Sequence, residues 1–191
     1  MRTRSIAQAG VIAAVYTALT LIVLQLPLQM GWGFVQFRPS EAVTVLALFT
    51  PAAVPGLALG AALANAFNLT QAGPAALLDV VFGGLATWLG AWWTWRFRTR
   101  TALALAGPVV ANALIVPAYL PLMLSAMGIS GVPFLGIGPD TAWPVVYLAG
   151  VVTIGIGEAI VVYGLGWPLV AALRRLGLHR LLDTPDAADT H

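Results

Sequence analysis

From Ile6 to Leu26 the chain carries no charged residue, and a run of that length is about what an α-helix needs to cross a bilayer. Comparable runs cover residues 42–66, 75–95, 101–127 and 143–173, each with at most one charge. At 60% hydrophobic and 8% charged, the chain holds more apolar matter than a soluble domain needs for its core. Alternating strands of barrel type are absent, so the backbone must be satisfied inside helices. These features predict an all-α, multi-pass membrane protein. With no cysteine there is no disulfide or thiolate nucleophile. All nine basic residues are arginine, so the chain has no Walker A lysine to cradle ATP.

The first run follows Arg2 and Arg4, as in a signal peptide, but it is long for one and no Ala-x-Ala site follows. It is expected to stay as the first helix. Its small residues fall in two rows, Ala9/Ala13 and Gly10/Ala14/Ala18, which let helix backbones approach closely. Packing within the chain and docking on a separate membrane subunit both fit such rows.

Pro51 and Pro55 interrupt the second run, which is one kinked span or two short ones. Starting from an inside N-terminus, two spans place Arg96, Arg98, Arg100, Arg174, Arg175 and Arg180 on the cytoplasmic side, whereas one span places them outside. The positive-inside rule selects two, hence six helices with both termini cytoplasmic. Domain limits follow: a transmembrane domain over 1–175 and a disordered cytoplasmic tail over 176–191.

Six helices carry a geometric consequence. The segment Glu41–Ala52 makes a helix only about 18 Å long, against a hydrocarbon core of about 30 Å. With Pro39-Ser40 starting it and Ser40 as its N-cap, the preceding segment, Met30 to Ser40, must dip into the membrane. Arg38 and Glu41 then line a cavity instead of a solvated loop.

The third helix, Val54 to Leu69, carries Asn65 and Asn68 near its outer end. The fourth, Ala75 to Trp95, has Asp79 near its start, followed by Gly83 and Ala86 on one small face with Thr87 alongside. Trp88, Trp92, Trp93 and Trp95 read as an interfacial belt. The fifth, Thr101 to Met127, holds Asn112, with kinks expected at Pro117 and Pro121. Gly128 to Asp140 is an external loop long enough to act as a lid. The sixth, Trp143 to Leu173, carries Glu158, and Gly150, Gly157 and Gly164 at heptad spacing predict close packing.

Three embedded acids, Glu41, Asp79 and Glu158, accompany one embedded arginine, Arg38, with Asn65 and Asn112. A charge in hydrocarbon costs about 2.5–3.5 kcal/mol on insertion scales, so the excess acid calls for a cationic or donor-rich ligand, a protonated carboxyl or a transported ion.

Four blocks now line up: Gln36-Phe37-Arg38-Pro39-Ser40-Glu41-Ala42, Leu63-Ala64-Asn65, Leu78 through Thr87, and Gly155-Ile156-Gly157-Glu158-Ala159. In this order they resemble the QueT family, the substrate-binding S components of energy-coupling factor (ECF) transporters associated with uptake of a queuosine precursor. The resemblance implies a prokaryotic cell-membrane protein with no cofactor and no nucleic-acid partner. It captures a 7-deazaguanine such as preQ1, preQ0 or queuine from outside. It also implies an ECF module of two ATPases and one membrane coupling subunit, docked on Ala9, Ala13, Gly10, Ala14 and Ala18. A carboxylate suits the ring's donor edge and a second one an aminomethyl cation. Glu41 and Asp79 lead the candidates, followed by Asn65 and Glu158. Arg38 or Asn112 is available to the ring carbonyl, and Phe37 and Phe82 are possible stacking faces. The arginine-only composition and the acidic tail depart from the family without touching these blocks.

Competing readings are an S component for another vitamin, a stand-alone proton-coupled carrier, and an intramembrane enzyme. No metal-binding helix motif and no histidine lies in a span, so the enzyme ranks last.

Overall fold

The computed structural model describes residues 3–24, 37–129, 136–138, 140–177 and 180. Those residues form six helices of ten residues or more: α1 (Thr3–Leu24), α2 (Pro39–Leu48), α3 (Ala53–Ala66), α4 (Gly73–Arg96), α5 (Thr101–Ala126) and α6 (Trp143–Arg175). The protein is an all-helical membrane protein. Helices α1, α4, α5 and α6 are long and apolar enough to cross a bilayer, while α2 and α3 are shorter. The dipping segment before residue 37, most of the expected lid and the tail beyond residue 180 lie outside the described residues.

Helix α2 is the hub. It packs against all five other helices, which follow one another around it in the order α1, α3, α4, α5, α6. Ser40 to Val45, Ala47 and Leu48 are buried, because every side of the segment has a neighbour. The sequence leads one to expect an α-helix from Glu41 to Ala52. The structure instead has a 3-10 helix over ten residues, a run well beyond the usual three or four. Winding more tightly makes it slimmer, which suits an axis enclosed by five helices. Its larger rise gives a length of about 20 Å, still short of the hydrocarbon thickness. The start also differs from expectation. Arg38 is the N-cap residue in extended conformation and Pro39 takes the first helical position, where its missing N–H costs nothing. Ser40 Oγ instead accepts from Thr20 Oγ1 at 2.8 Å.

Glycines seat α3 on α1. A Cβ on Gly56 would stand 2.7 Å from the Ala9 carbonyl oxygen, and one on Gly60 would stand 2.9 Å from that of Ala13. Thr17 Oγ1 adds a bond to the Gly60 carbonyl at 3.0 Å. Ala9 and Ala13 are therefore spent on internal packing, while Gly10, Ala14 and Ala18 face outward. Gly90 and Gly107 play the same part between α4 and α5: a Cβ on Gly107 would meet the Gly90 oxygen at 2.8 Å.

Three prolines, Pro108, Pro117 and Pro121, lie inside α5. Pro108 has no N–H for the carbonyl of Ala104 one turn back. Thr94 of α4 supplies the missing donor, its Oγ1 lying 3.0 Å from that oxygen.

Two helices contain a π turn, at Asp79–Gly83 in α4 and at Val162–Gly166 in α6. The second corrects the glycine heptad. A π turn inserts one residue and rotates the rest of the helix about its axis. Gly164 therefore faces open space while Gly166 takes the contact, a Cβ there lying 2.8 Å from Val45 Cγ1.

The arginine-rich end is tied together by side-chain contacts. Arg174 Cζ lies 5.8 Å from the Phe49 ring centroid, and Thr50 Oγ1 bonds Gln8 Oε1 at 3.3 Å. The α2–α3 turn thus shares an end with the start of α1 and the close of α6.

Candidate functional site

Polar side chains gather within the apolar bundle in two linked clusters. The first surrounds Asp79, at the start of the π turn in α4. Tyr119 OH donates to Asp79 Oδ1 at 2.7 Å, and Asn68 Nδ2 donates to Oδ2 at 2.8 Å. Asn65 Nδ2 donates to the Asp79 main-chain oxygen at 2.9 Å. Asp79, Asn65 and Asn68 are each only 2% exposed. This one residue joins α3, α4, α5 and the turn after α3. Gly83 makes room for the arrangement, since a Cβ there would lie 3.1 Å from Asp79 Oδ1.

The second cluster joins α1, α2, α5 and α6. Tyr16 OH donates to Glu41 Oε1, and Asn112 Nδ2 donates to Glu158 Oε1 at 2.9 Å. Glu41 and Glu158 act on one another electrostatically, and two acceptors brought together form no bond unless a proton or a donor sits between them. Glu41 Oε2 is buried and has no partner among the described residues, a condition rare for polar atoms in native interiors.

Arg38 connects the clusters. It is half-buried and within electrostatic reach of Asp79, Tyr16, Tyr119 and Glu41, and it also acts on Glu158. One guanidinium therefore stands against three carboxyl groups.

Of the residues singled out from sequence, Glu41, Asp79, Asn65, Glu158, Asn112 and Arg38 all belong to these clusters. Phe82 is 41% exposed and stacks on Tyr119 with centroids 6.0 Å apart. Phe37 is half-buried at the mouth of α2. Tyr16 and Tyr119 were not among the candidates. Their signal was a phenol in the interior of an apolar helix, which needs a partner when buried. Asn68 was seen near the outer end of its helix but not linked to Asp79.

Among known families, the model of the QueT transporter family matches residues 6–175. The chain belongs to the QueT transporter family. The match takes in every residue of both clusters, and it makes this protein a membrane substrate-uptake component. No curated protein and no solved structure matches the chain.

Proposed function

We propose that this QueT-family chain is the substrate-capture subunit of an ECF-type importer, binding a 7-deazaguanine queuosine precursor from outside. The observation that carries the reading is the burial of three carboxyl groups from three helices around one guanidinium, with an acceptor oxygen of Glu41 lacking a donor among the described residues. A 7-deazaguanine brings what such a site lacks, a flat ring with adjacent N–H and amine donors. A carboxylate accepts both side by side, and Phe82, leaning on Tyr119, offers a ring face at the Asp79 cluster. The protein performs no chemistry in this scheme. It binds, and an ECF module hydrolysing ATP drives its reorientation. The exposed row Gly10/Ala14/Ala18 is the surface left on α1 for that module, with both termini on the cytoplasmic side.

Calorimetry on the purified full chain with preQ1, preQ0 and queuine tests the reading. Tight binding that needs no ATP is expected, with vitamins of unrelated shape giving no heat. Absence of heat from every deazaguanine, with the protein folded, would overturn it. The electrostatic influence of Glu41 and Glu158 on one another supports a second reading, a proton-coupled carrier working alone. Uptake by the lone protein in vesicles, driven by a proton gradient, would select that reading.

A further inference from the structure

Far from the buried acids, α4 and α5 leave a groove of about 250 Å³ between them. Leu89, Trp92 and Trp93 line it from α4, and Gly107, Ala111 and Leu114 from α5. Trp92 is 47% exposed and Leu114 50%, so the groove opens on the outside of the bundle. One wall is fixed in place. A Cβ on Gly107 would lie 2.7 Å from Trp93 Cδ1, and the Trp93 indole N–H donates to the Leu103 carbonyl oxygen at 3.0 Å. Both helices also carry an arginine in register with the groove, at the same end. On α4, Leu89, Trp92, Trp93 and Arg96 stand at i, i+3, i+4 and i+7; on α5, Arg100, Gly107, Ala111 and Leu114 stand at i, i+7, i+11 and i+14. Each set therefore shares one helix face. Arg96 and Arg100 are exposed, whereas Arg98 is committed to Trp95, its Cζ 3.9 Å from the ring centroid and its Nη1 3.2 Å from the main-chain oxygen. Between Asp79 and Asp140 the sequence has no acidic residue, so α5 and the adjoining part of α4 bring no negative charge to offset them.

We infer that this groove is a seat for an anionic phospholipid, with one acyl chain lying between α4 and α5 and the phosphate held by Arg96 and Arg100. The lining runs along α5 from Gly107 to Ile115, about 12 Å of helix, which suits an extended chain with the headgroup at the arginine end. Guanidinium groups pair with phosphate oxygens through two parallel hydrogen bonds, and basic side chains beside a membrane surface favour anionic over neutral lipids. A zwitterionic lipid fills the same groove, but its net charge is zero and the arginines give it no comparable advantage. The occupant is a lipid because the two requirements, an apolar chain and a phosphate at one end of it, are met together there and in register on both helices.

The inference stands apart from the proposed function, and no substrate is needed to test it. Native mass spectrometry of the full chain in detergent is run with phosphatidylglycerol and with phosphatidylcholine of the same acyl chains. Phosphatidylglycerol is expected to be retained about ten- to thirtyfold more tightly, the range for two arginines near a membrane surface. Arg96→Gln combined with Arg100→Gln should bring the two lipids to equal affinity, and Ala111→Phe, which fills the groove, should remove the retained lipid. Equal retention of both lipids by the wild-type protein overturns the seat, as does a preference that survives the double arginine variant. Thermal stabilisation by glycerol phosphate as large as that by phosphatidylglycerol overturns it too, since the acyl chain would then contribute nothing. A photoreactive residue at position 114 in native membranes should cross-link to phospholipid; a cross-link to a second protein or to another copy of this chain would assign the groove to that occupant and overturn the inference. The wild-type lipid comparison and the exposed arginine variants decide the matter even where Ala111→Phe fails to fold.

Discussion

Gly83 lies so close to Asn65 that a Cβ on it would stand 2.5 Å from Asn65 Nδ2. The bond from that nitrogen to the Asp79 main chain therefore depends on the absence of a side chain at residue 83. Gly83→Ala is expected to displace the Asn65 amide and to lower stability by about 1–3 kcal/mol, as overpacking does. Ligand binding should weaken with it. Thermal unfolding with and without ligand checks both effects; an unchanged midpoint and affinity would show that the cluster tolerates the methyl group.

Tyr119→Phe removes the donor on Asp79 Oδ1 without opening a cavity. A buried carboxylate oxygen left without its donor costs about 1–3 kcal/mol, so a lower thermal midpoint is expected. Tyr119→Phe combined with Asp79→Asn should cost less than the sum of the two alone, because the residues act as a pair. A double-mutant cycle measures this directly, and strict additivity would deny the coupling.

The two faces of α1 should separate by experiment. Gly56→Leu drives a side chain into the Ala9 backbone and is expected to lower expression and thermal stability. Ala14→Leu lies on the outward face and should leave folding and ligand binding unchanged. If that face docks on a coupling subunit, Ala14→Leu abolishes co-purification with it and uptake in cells. Normal uptake by Ala14→Leu would remove this row from the docking surface.

Thr94→Val takes away the hydroxyl that stands in for the N–H missing at Pro108. The Ala104 carbonyl is then left unsatisfied, at a cost of about 1–3 kcal/mol. Adding Pro108→Ala, which restores an N–H to α5, should recover most of the loss. Thermal melts of the single and double variants test the rescue, and no recovery would mean that Thr94 acts through its other contact, with Gly90.

Much of this protein was legible in the sequence because the membrane imposes simple rules. Apolar run length marked the spans, and the proline pair at Pro51 and Pro55 marked the break between α2 and α3. Acids in apolar surroundings marked Glu41, Asp79 and Glu158, since hydrocarbon gives an isolated carboxyl no reason to be there. The sequence could not reveal that Ala9 and Ala13 pair with Gly56 and Gly60 while Gly10, Ala14 and Ala18 stay free. Both rows have much the same composition, and only the position of α3 distinguishes them. Gly164 misled for a related reason, because a π turn changes the phase of a helix without altering its residue pattern.

The sequence by itself determined the material: a helical membrane protein with three acids and one arginine set among apolar residues. Only the tertiary structure decided which acid is occupied and which is open. Donors come from other helices or from the turn after α3, Tyr119 and Asn68 to Asp79, Tyr16 to Glu41, Asn112 to Glu158. Hydrogen bonds that span 11 to 46 positions depend on how helices pack, and packing is a property of surfaces in contact, which no single stretch of sequence contains.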